Sequence, residues 1–408
     1  MNNRLSYLGE KSSGDYLPWL TFLALFFVCN PYISLFRLMS SDLQPESAIF
    51  ALLWILTYFF ISRKGLRVLQ ISQFHLIYLG VVVYSFAISC LLDSYNIRSI
   101  GNYLCLLLFS VFGMWVEKEN RLFLLVLKTT AMITLLVGFL QLLGNSYLFD
   151  FLVVNTRTEG FRGSTGLAPE PSYYGISCLF MIFSFDMLTE KDKMQRLFFQ
   201  ALLFFQIIFL AKSFTALIGL VLWLASKVIT SGKRGYLKLK IVAATSGILV
   251  SVYFALVSFS HSRLSYLLRI AYDDPFKMLI KDESARERLG HIVYSIVGFL
   301  KQLPFAIGHG TNSWSEFGLD QKNQFDWIIN QGGNRIMSGY GAALFELGFV
   351  GLLIPISTLA ILWNCGRNGR AVGLTLSLYL FIAVPLATPL LGTLLGIALS
   401  RRRASISS

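Results

Sequence analysis

Apolar runs of about twenty residues recur from one end of this 408-residue chain to the other, and no other feature limits its fold as strongly. A run of that length crosses a hydrocarbon core as a single α-helix, with every backbone polar group satisfied inside the helix. We place such runs at about 17–36, 46–62, 73–92, 99–116, 122–143, 171–188, 196–211, 213–230, 241–259 and 340–363. Charged residues make up only 14 % of the chain against 55 % hydrophobic, and the mean hydropathy is +0.62, so there is too little polar surface to cover a soluble fold of this size. The pattern predicts an all-α, polytopic transmembrane helical bundle, with residues 1–408 as a single integral membrane domain.

Between Arg370 and Arg401 a longer apolar stretch is broken by Pro385 and Pro389, which allows one tilted helix or two short ones. Charge decides between these. Arg63, Lys64 and Arg67, then Lys118 and Arg121, then Lys191, Lys193 and Arg196, then Lys233, Arg234, Lys238 and Lys240, then Arg367 and Arg370 occupy alternate short loops, as cytoplasmic loops do. Arg401, Arg402 and Arg403 belong to the same side, which requires an even number of crossings. The expectation is therefore about twelve helices, both termini in the cytoplasm, and two long non-cytoplasmic segments at 144–170 and 260–339. Arg4 and Lys11 precede an apolar run that is too long for a signal peptide and lacks a small-residue cleavage site, so it reads as the first spanning helix.

The net charge of +13 comes from these short linkers and not from one basic face, which points to anionic lipid and not to nucleic acid. Cys29, Cys90, Cys105, Cys178 and Cys365 fall in or beside apolar runs, so no disulfide framework is expected. His261, His291 and His309 are too scattered for metal-ligand spacing, and no metal or other cofactor is expected. A glycine-rich phosphate loop of the nucleotide-binding kind is absent, which argues against a nucleotide-sugar donor.

Within the large insertion, Ser284, Arg288, His291 and Ser295 share one helical face, while Leu289, Ile292, Val293, Ile296, Phe299, Leu300 and Leu303 fill the other. This amphipathic helix fits a membrane surface or the surface of the bundle, and a solvated polar stripe is the plainer alternative. The segment Gly160-Phe161-Arg162-Gly163-Ser164-Thr165-Gly166-Leu167-Ala168-Pro169-Glu170-Pro171-Ser172 opens the sixth helix. Its glycines permit close backbone approach, Arg162 can grip a phosphate, and Glu170 can accept a hydroxyl proton or simply complement the helix dipole.

Arg162-x-x-x-Gly166-x-x-x-Glu170-Pro171-Ser172 at a helix start resembles the motif of O-antigen polymerases of the Wzy type and their ligase relatives. Lys212-Ser213-Phe214-Thr215 is similar to the family helix that opens with Ser-Arg-Thr, with Phe214 where an arginine is usual. Ser284-Ala285-Arg286-Glu287-Arg288, then Leu303-Pro304-Phe305-Ala306-Ile307-Gly308-His309-Gly310, then Glu346-Leu347-Gly348-Phe349-Val350-Gly351 resemble the family's loop arginine, its glycine turn (with Leu303 in place of asparagine) and its Glu-x-Gly-x-x-Gly helix. The ligase branch carries a His-Asn pair shortly before that helix; here Arg335-Ile336-Met337-Ser338-Gly339 stands instead, which favours a polymerase.

The resemblance implies a metal-independent membrane glycosyltransferase of the bacterial inner membrane, active at the periplasmic face in lipopolysaccharide or other polysaccharide biosynthesis. It would transfer a growing glycan from undecaprenyl diphosphate to a lipid-linked repeat unit. Its partners would be undecaprenyl-diphosphate-linked glycans, membrane lipid and a chain-length regulator. Glu170, Arg162, Arg288 and His309 are then the expected catalytic residues, and Arg157, Arg286, His291, Arg335 and Glu346 the diphosphate- and glycan-binding ones. Two other readings stand beside it. A ligase would pass the glycan to lipid A-core, and a flippase of lipid-linked oligosaccharide would also have about twelve helices.

Overall fold

The computed structural model describes residues 18–37, 42–61, 72–117, 120–157, 163–188, 193–231, 283–322, 336–382 and 384–407, together with scattered residues between 247 and 281. Among these the regular structure is helical: α1 (Pro18–Cys29), α2 (Glu46–Ile61), α3 (Gln73–Leu91), α4 (Ile97–Val116), α5 (Asn120–Leu143), α6 (Pro171–Leu188), α7 (Lys193–Phe205), α8 (Phe214–Ile229), α9 (Glu283–Lys301), α10 (Trp314–Lys322), α11 (Gly339–Leu347), α12 (Leu353–Trp363), α13 (Gly366–Ile382) and α14 (Pro389–Ser407). A π-helical turn at Gln206–Ala211 prolongs α7, and a 3₁₀ turn at Gly348–Leu352 joins α11 to α12. Five segments, Gln73–Leu91, Ile97–Val116, Asn120–Leu143, Lys193–Ala211 and Gly339–Trp363, are long and apolar enough to cross a bilayer. The run at 241–259 and the rest of 232–282 lie outside the described residues, the scattered positions aside.

The outside of the bundle is apolar in stripes. Leu76, Leu79, Val83 and Phe86 are exposed along α3, and Leu125, Met132, Leu136, Leu140 and Leu143 along α5. The spacing is helical, so each stripe is one continuous face turned away from the protein, the reverse of a helix that borders water. This exterior is compatible with a membrane protein.

Two expected boundaries are corrected. The first helix ends at Cys29 and not near 36, because Pro31 has no N–H to continue the ladder and disfavours helical backbone at Asn30. The Asn30 amide finishes the helix by donating to the Phe26 carbonyl at 3.0 Å and to Thr130 Oγ1 at 3.3 Å. The run at 340–363 is interrupted at Gly348, whose φ of 59° ends α11. In the tail, α13 and α14 form two helices, with Pro389 at the first position of α14, where its missing N–H costs nothing.

α14 packs along α4 through small residues. A Cβ on Gly396 would fall 2.1 Å from the Ser110 carbonyl oxygen, and one on Gly113 would fall 2.1 Å from that of Thr393, so the two backbones touch. The starts of α2, α4, α6, α8, α11 and α14 gather at one end of the bundle with the ends of α1, α3, α5 and α13. At the opposite end Arg401 pairs with Glu117 at 2.9 Å and Lys227 with Asp186 at 2.6 Å. Lys193, Arg196, Arg367 and Arg370 belong to that second end, where α7 and α13 begin.

The amphipathic helix is α9, and it lies on the bundle with its polar face inward. His291 and Ser295 are buried, while Ile296 and Leu300 on the other face are exposed. Ser295 Oγ sits 2.5 Å from the place of a Cβ on Gly341 of α11, and Gly298 gives room to the Phe345 ring. A solvated polar stripe is therefore the wrong description. Ser295 Oγ donates to the His291 carbonyl of its own helix, Arg288 donates to Thr215 of α8 and His291 stacks on Trp314 of α10, while the apolar side continues the apolar exterior.

Replacing Gly396 by Leu forces α14 off α4. Purified in detergent, G396L is expected to lose about 1–3 kcal/mol or more, seen as a lower midpoint of thermal unfolding, whereas Leu378→Ala on the exposed face of α13 leaves it within about 0.5 kcal/mol of wild type.

Candidate active site

The segment preceding α6 is held by backbone contact. Gly163 lies so close to the end of the π turn that a Cβ would be 2.2 Å from the Ala211 carbonyl oxygen, and the Ser164 N–H donates to the Leu210 carbonyl at 2.8 Å. Buried Gln141 of α5 clamps the next turn. Its Oε1 accepts the N–H groups of Thr165 (3.1 Å) and Gly166 (2.7 Å), and its Nε2 donates to the Gly166 and Leu148 carbonyls. This explains a polar residue in an apolar helix.

The clamp delivers Glu170 to the start of α6, where both its oxygens are engaged. Arg157 Nε donates to Oε1 at 2.8 Å and Ser172 Oγ to Oε2 at 3.0 Å. Arg157 also reaches Asp42 Oδ1 at 2.9 Å, and the Tyr173 hydroxyl points to Asp42 Oδ2 at 3.4 Å. Asp42, Arg157 and Glu170 thus form a carboxylate–guanidinium–carboxylate chain at the bundle end, with Arg157 half exposed.

Tyr173 connects this chain to a cavity of about 580 Å³. Its wall carries Arg98, Arg288 and Glu346 beside Ser99, Asn102 and Gln44, and the remaining lining is largely apolar, including Leu43, Phe109, Ile336 and Pro389. Arg288, from α9, donates to Thr215 Oγ1 at the start of α8. Glu346, from α11, accepts the Tyr103 hydroxyl at 2.7 Å, with Ser99 as a second hydroxyl donor. A cationic, hydrogen-bonding patch in an apolar chamber suits an amphiphile with an anionic head.

The glycine turn docks on the end of α11. His309 N–H donates to the Phe345 carbonyl at 2.9 Å, Gly310 N–H to that of Glu346 at 3.1 Å, and Phe349 N–H to that of Ala306 at 2.9 Å. Gly308 (φ 101°) and Gly348 (φ 59°) are both left-handed, and a Cβ on either would strike the other segment's backbone within 2.3 Å. The His309 ring stacks on Phe345 at 4.4 Å, and its Nε2 meets the Gly298 carbonyl, so Nε2 carries the proton. Burial is the main cause lowering the His309 pKa, with the positive charge of Lys301 adding to it and the bond to Gly298 opposing. His291 stacks on Trp314 and approaches Glu287 Oε1 at 3.9 Å. Arg286 is half-buried, and its Nε has no partner among the described residues.

Of the residues singled out in the sequence, Arg288 and Glu346 line the cavity, and Arg157 and Glu170 form the adjoining ion pair. Arg286, His291 and His309 do not line it, and the two histidines pack in the layer behind, against Trp314 and Phe345. Arg162 and Arg335 lie outside the described residues. Among the described residues no group of three or more His, Cys, Asp or Glu side chains is arranged to hold a metal ion. Sequence reasoning missed Asp42, Arg98, Tyr103, Gln141 and Tyr173. Arg98 carried a signal, as the sole Lys or Arg between Arg67 and Lys118.

No protein-family model matches the chain, and no curated protein sequence matches it.

Gln141→Leu leaves the Thr165 and Gly166 N–H groups without their acceptor. It is expected to cost about 1–3 kcal/mol for each group so stranded, read as a lowered unfolding midpoint. Gln141→Glu keeps the acceptor and recovers part of the loss.

Proposed function

We propose that this chain is a polytopic membrane glycosyltransferase of the O-antigen polymerase type, which moves a growing glycan from a polyprenyl diphosphate to the sugar of a second lipid-linked repeat unit. The observation that carries the reading is convergence. Thr215, Arg288 and Glu346 come from three separate sequence segments that resemble that family, and they meet at or beside one amphipathic cavity; Tyr173, which directly follows the Glu170-Pro171-Ser172 segment, lines it too, and the glycine turn docks behind Glu346.

The chemistry fits such a chamber. A diphosphate is a good leaving group, so the reaction gains most from fixed positive charge where negative charge accumulates as the glycosidic bond breaks. An arginine stays protonated and offers a planar fork to phosphate oxygens, and Arg288 and Arg98 both border the cavity. The bond from Arg288 to Thr215 restricts its guanidinium, and Arg157, joined to Tyr173 through Asp42, offers a third cation to the glycan or headgroup.

In this reading the chain crosses the bacterial inner membrane about twelve times with both termini in the cytoplasm, and 144–170 and 260–339 face the periplasm. The gathering of basic residues at the end remote from the cavity supports that orientation. A chain-length regulator is a further proposed partner. The ligase and flippase readings have no observation in the fold that favours them over polymerisation.

Deleting the protein in its host is expected to leave surface glycan as single repeat units on the lipid anchor, with longer bands lost on a size separation. Free lipid-linked polymer would indicate a ligase, and absence of both from the outer face a transporter. Arg288→Ala, produced at the wild-type level, is expected to reproduce the deletion pattern.

A further inference from the structure

If the proposed reaction is right, the acceptor hydroxyl must lose a proton as it attacks, and the geometry points to Glu346, and not Glu170, as the group that takes it. The inference rests on the polymerase reading and deepens it. Both carboxylates were drawn from the same sequence resemblance, but the structure gives them different surroundings.

Glu170 is held on one oxygen by Arg157 and on the other by Ser172, and it does not line the cavity. With Arg157 on one oxygen and Ser172 on the other, Glu170 offers no free oxygen toward a hydroxyl in the cavity. Its position between Asp42 and the start of α6 makes it a positioning residue for Arg157. His309 is also ill placed: its Nε2 is occupied by the Gly298 carbonyl, its ring lies against Phe345, and it is not part of the cavity wall.

Glu346 is the only carboxylate among the described residues that lines the cavity, and no cation pairs with it among them. Its neighbours are hydroxyls: Tyr103 donates to Oε2 at 2.7 Å, and Ser99 stands beside it. Hydroxyl donors fix the orientation of the carboxylate without supplying a compensating full charge. The backbone is fixed as well, because the Glu346 carbonyl accepts Gly310 N–H and the helix ends two residues later at Gly348. The carboxylate therefore sits at a rigid point on the wall that also carries Arg288.

The step balances within this set. The acceptor hydroxyl oxygen forms a bond to the anomeric carbon and gives its proton to Glu346. The bond from that carbon to the diphosphate oxygen breaks, and the polyprenyl diphosphate leaves with the electron pair, its added negative charge facing Arg288. The proton then passes from Glu346 to water, and the carboxylate is restored for the next unit.

The test is complementation of the deletion strain with full-length wild type, Glu346→Gln, Glu346→Asp, Tyr103→Phe and Glu170→Gln. Protein abundance and thermal unfolding are measured alongside the glycan ladder. Gln keeps the shape and the hydrogen bond with Tyr103, so E346Q is expected to accumulate normally and to lower the polymer-to-single-unit ratio by about 10²–10⁴-fold, the usual contribution of a general base. E346D and Y103F, which displace or loosen the carboxylate, are expected to retain a partial ladder, and E170Q a larger share than E346Q. A wild-type ladder from E346Q overturns the inference and leaves the polymerase reading intact. If E346Q does not accumulate, a wild-type ladder from E346D overturns it in the same way. Failure of wild type itself to restore the ladder removes the polymerase reading, and the inference with it.

Discussion

The contact on which the site depends is between two stretches of backbone: the turn at 306–310 and the end of α11. Three hydrogen bonds join them, and two left-handed glycines, Gly308 and Gly348, allow an approach that a side chain on either would block. Glu346 is part of this junction through its carbonyl, and α9 is tied to the same helix through Ser295 and Gly298. Loss of the junction would free both Glu346 and Arg288, which line the same cavity. Backbone contact of this kind leaves little room for adjustment, which suits the fixed charges that the proposed transfer requires.

The same device recurs where the segment before α6 meets the π turn after α7, at Gly163, and it has a polar counterpart in Gln141. An apolar bundle cannot leave loop amides without partners, so a single buried glutamine takes two of them. The helices themselves are held by apolar packing and by small-residue contacts such as Gly113 with Gly396, while the ion pairs Arg157–Glu170, Lys227–Asp186 and Arg401–Glu117 sit at the two ends.

Much of the helical plan was legible in the sequence, because long apolar runs have few alternatives. The breaks at Pro31 and Gly348 were harder to read. One proline inside an apolar stretch can kink a helix or end it, and a glycine signals a break only once the partner that approaches it is known. The inward turn of the polar face of α9 was hidden for a related reason: helical periodicity divides the faces but does not say which of them meets solvent when the solvent is apolar. In the site, Arg288 and Glu346 were found from local motifs, whereas Asp42, Tyr103 and Tyr173 reach it only through contacts far apart in the chain. Glu170 was also drawn from a local motif, and its Arg157 partner makes it an anchor in this geometry.

The most direct measurement is on the purified chain in liposomes supplied with a polyprenyl-diphosphate-linked repeat unit, following glycan length and released polyprenyl diphosphate together. The account predicts a ladder of products that grows with one polyprenyl diphosphate released for each linkage. Repeat units that cross the bilayer unchanged, with no diphosphate released, would contradict it.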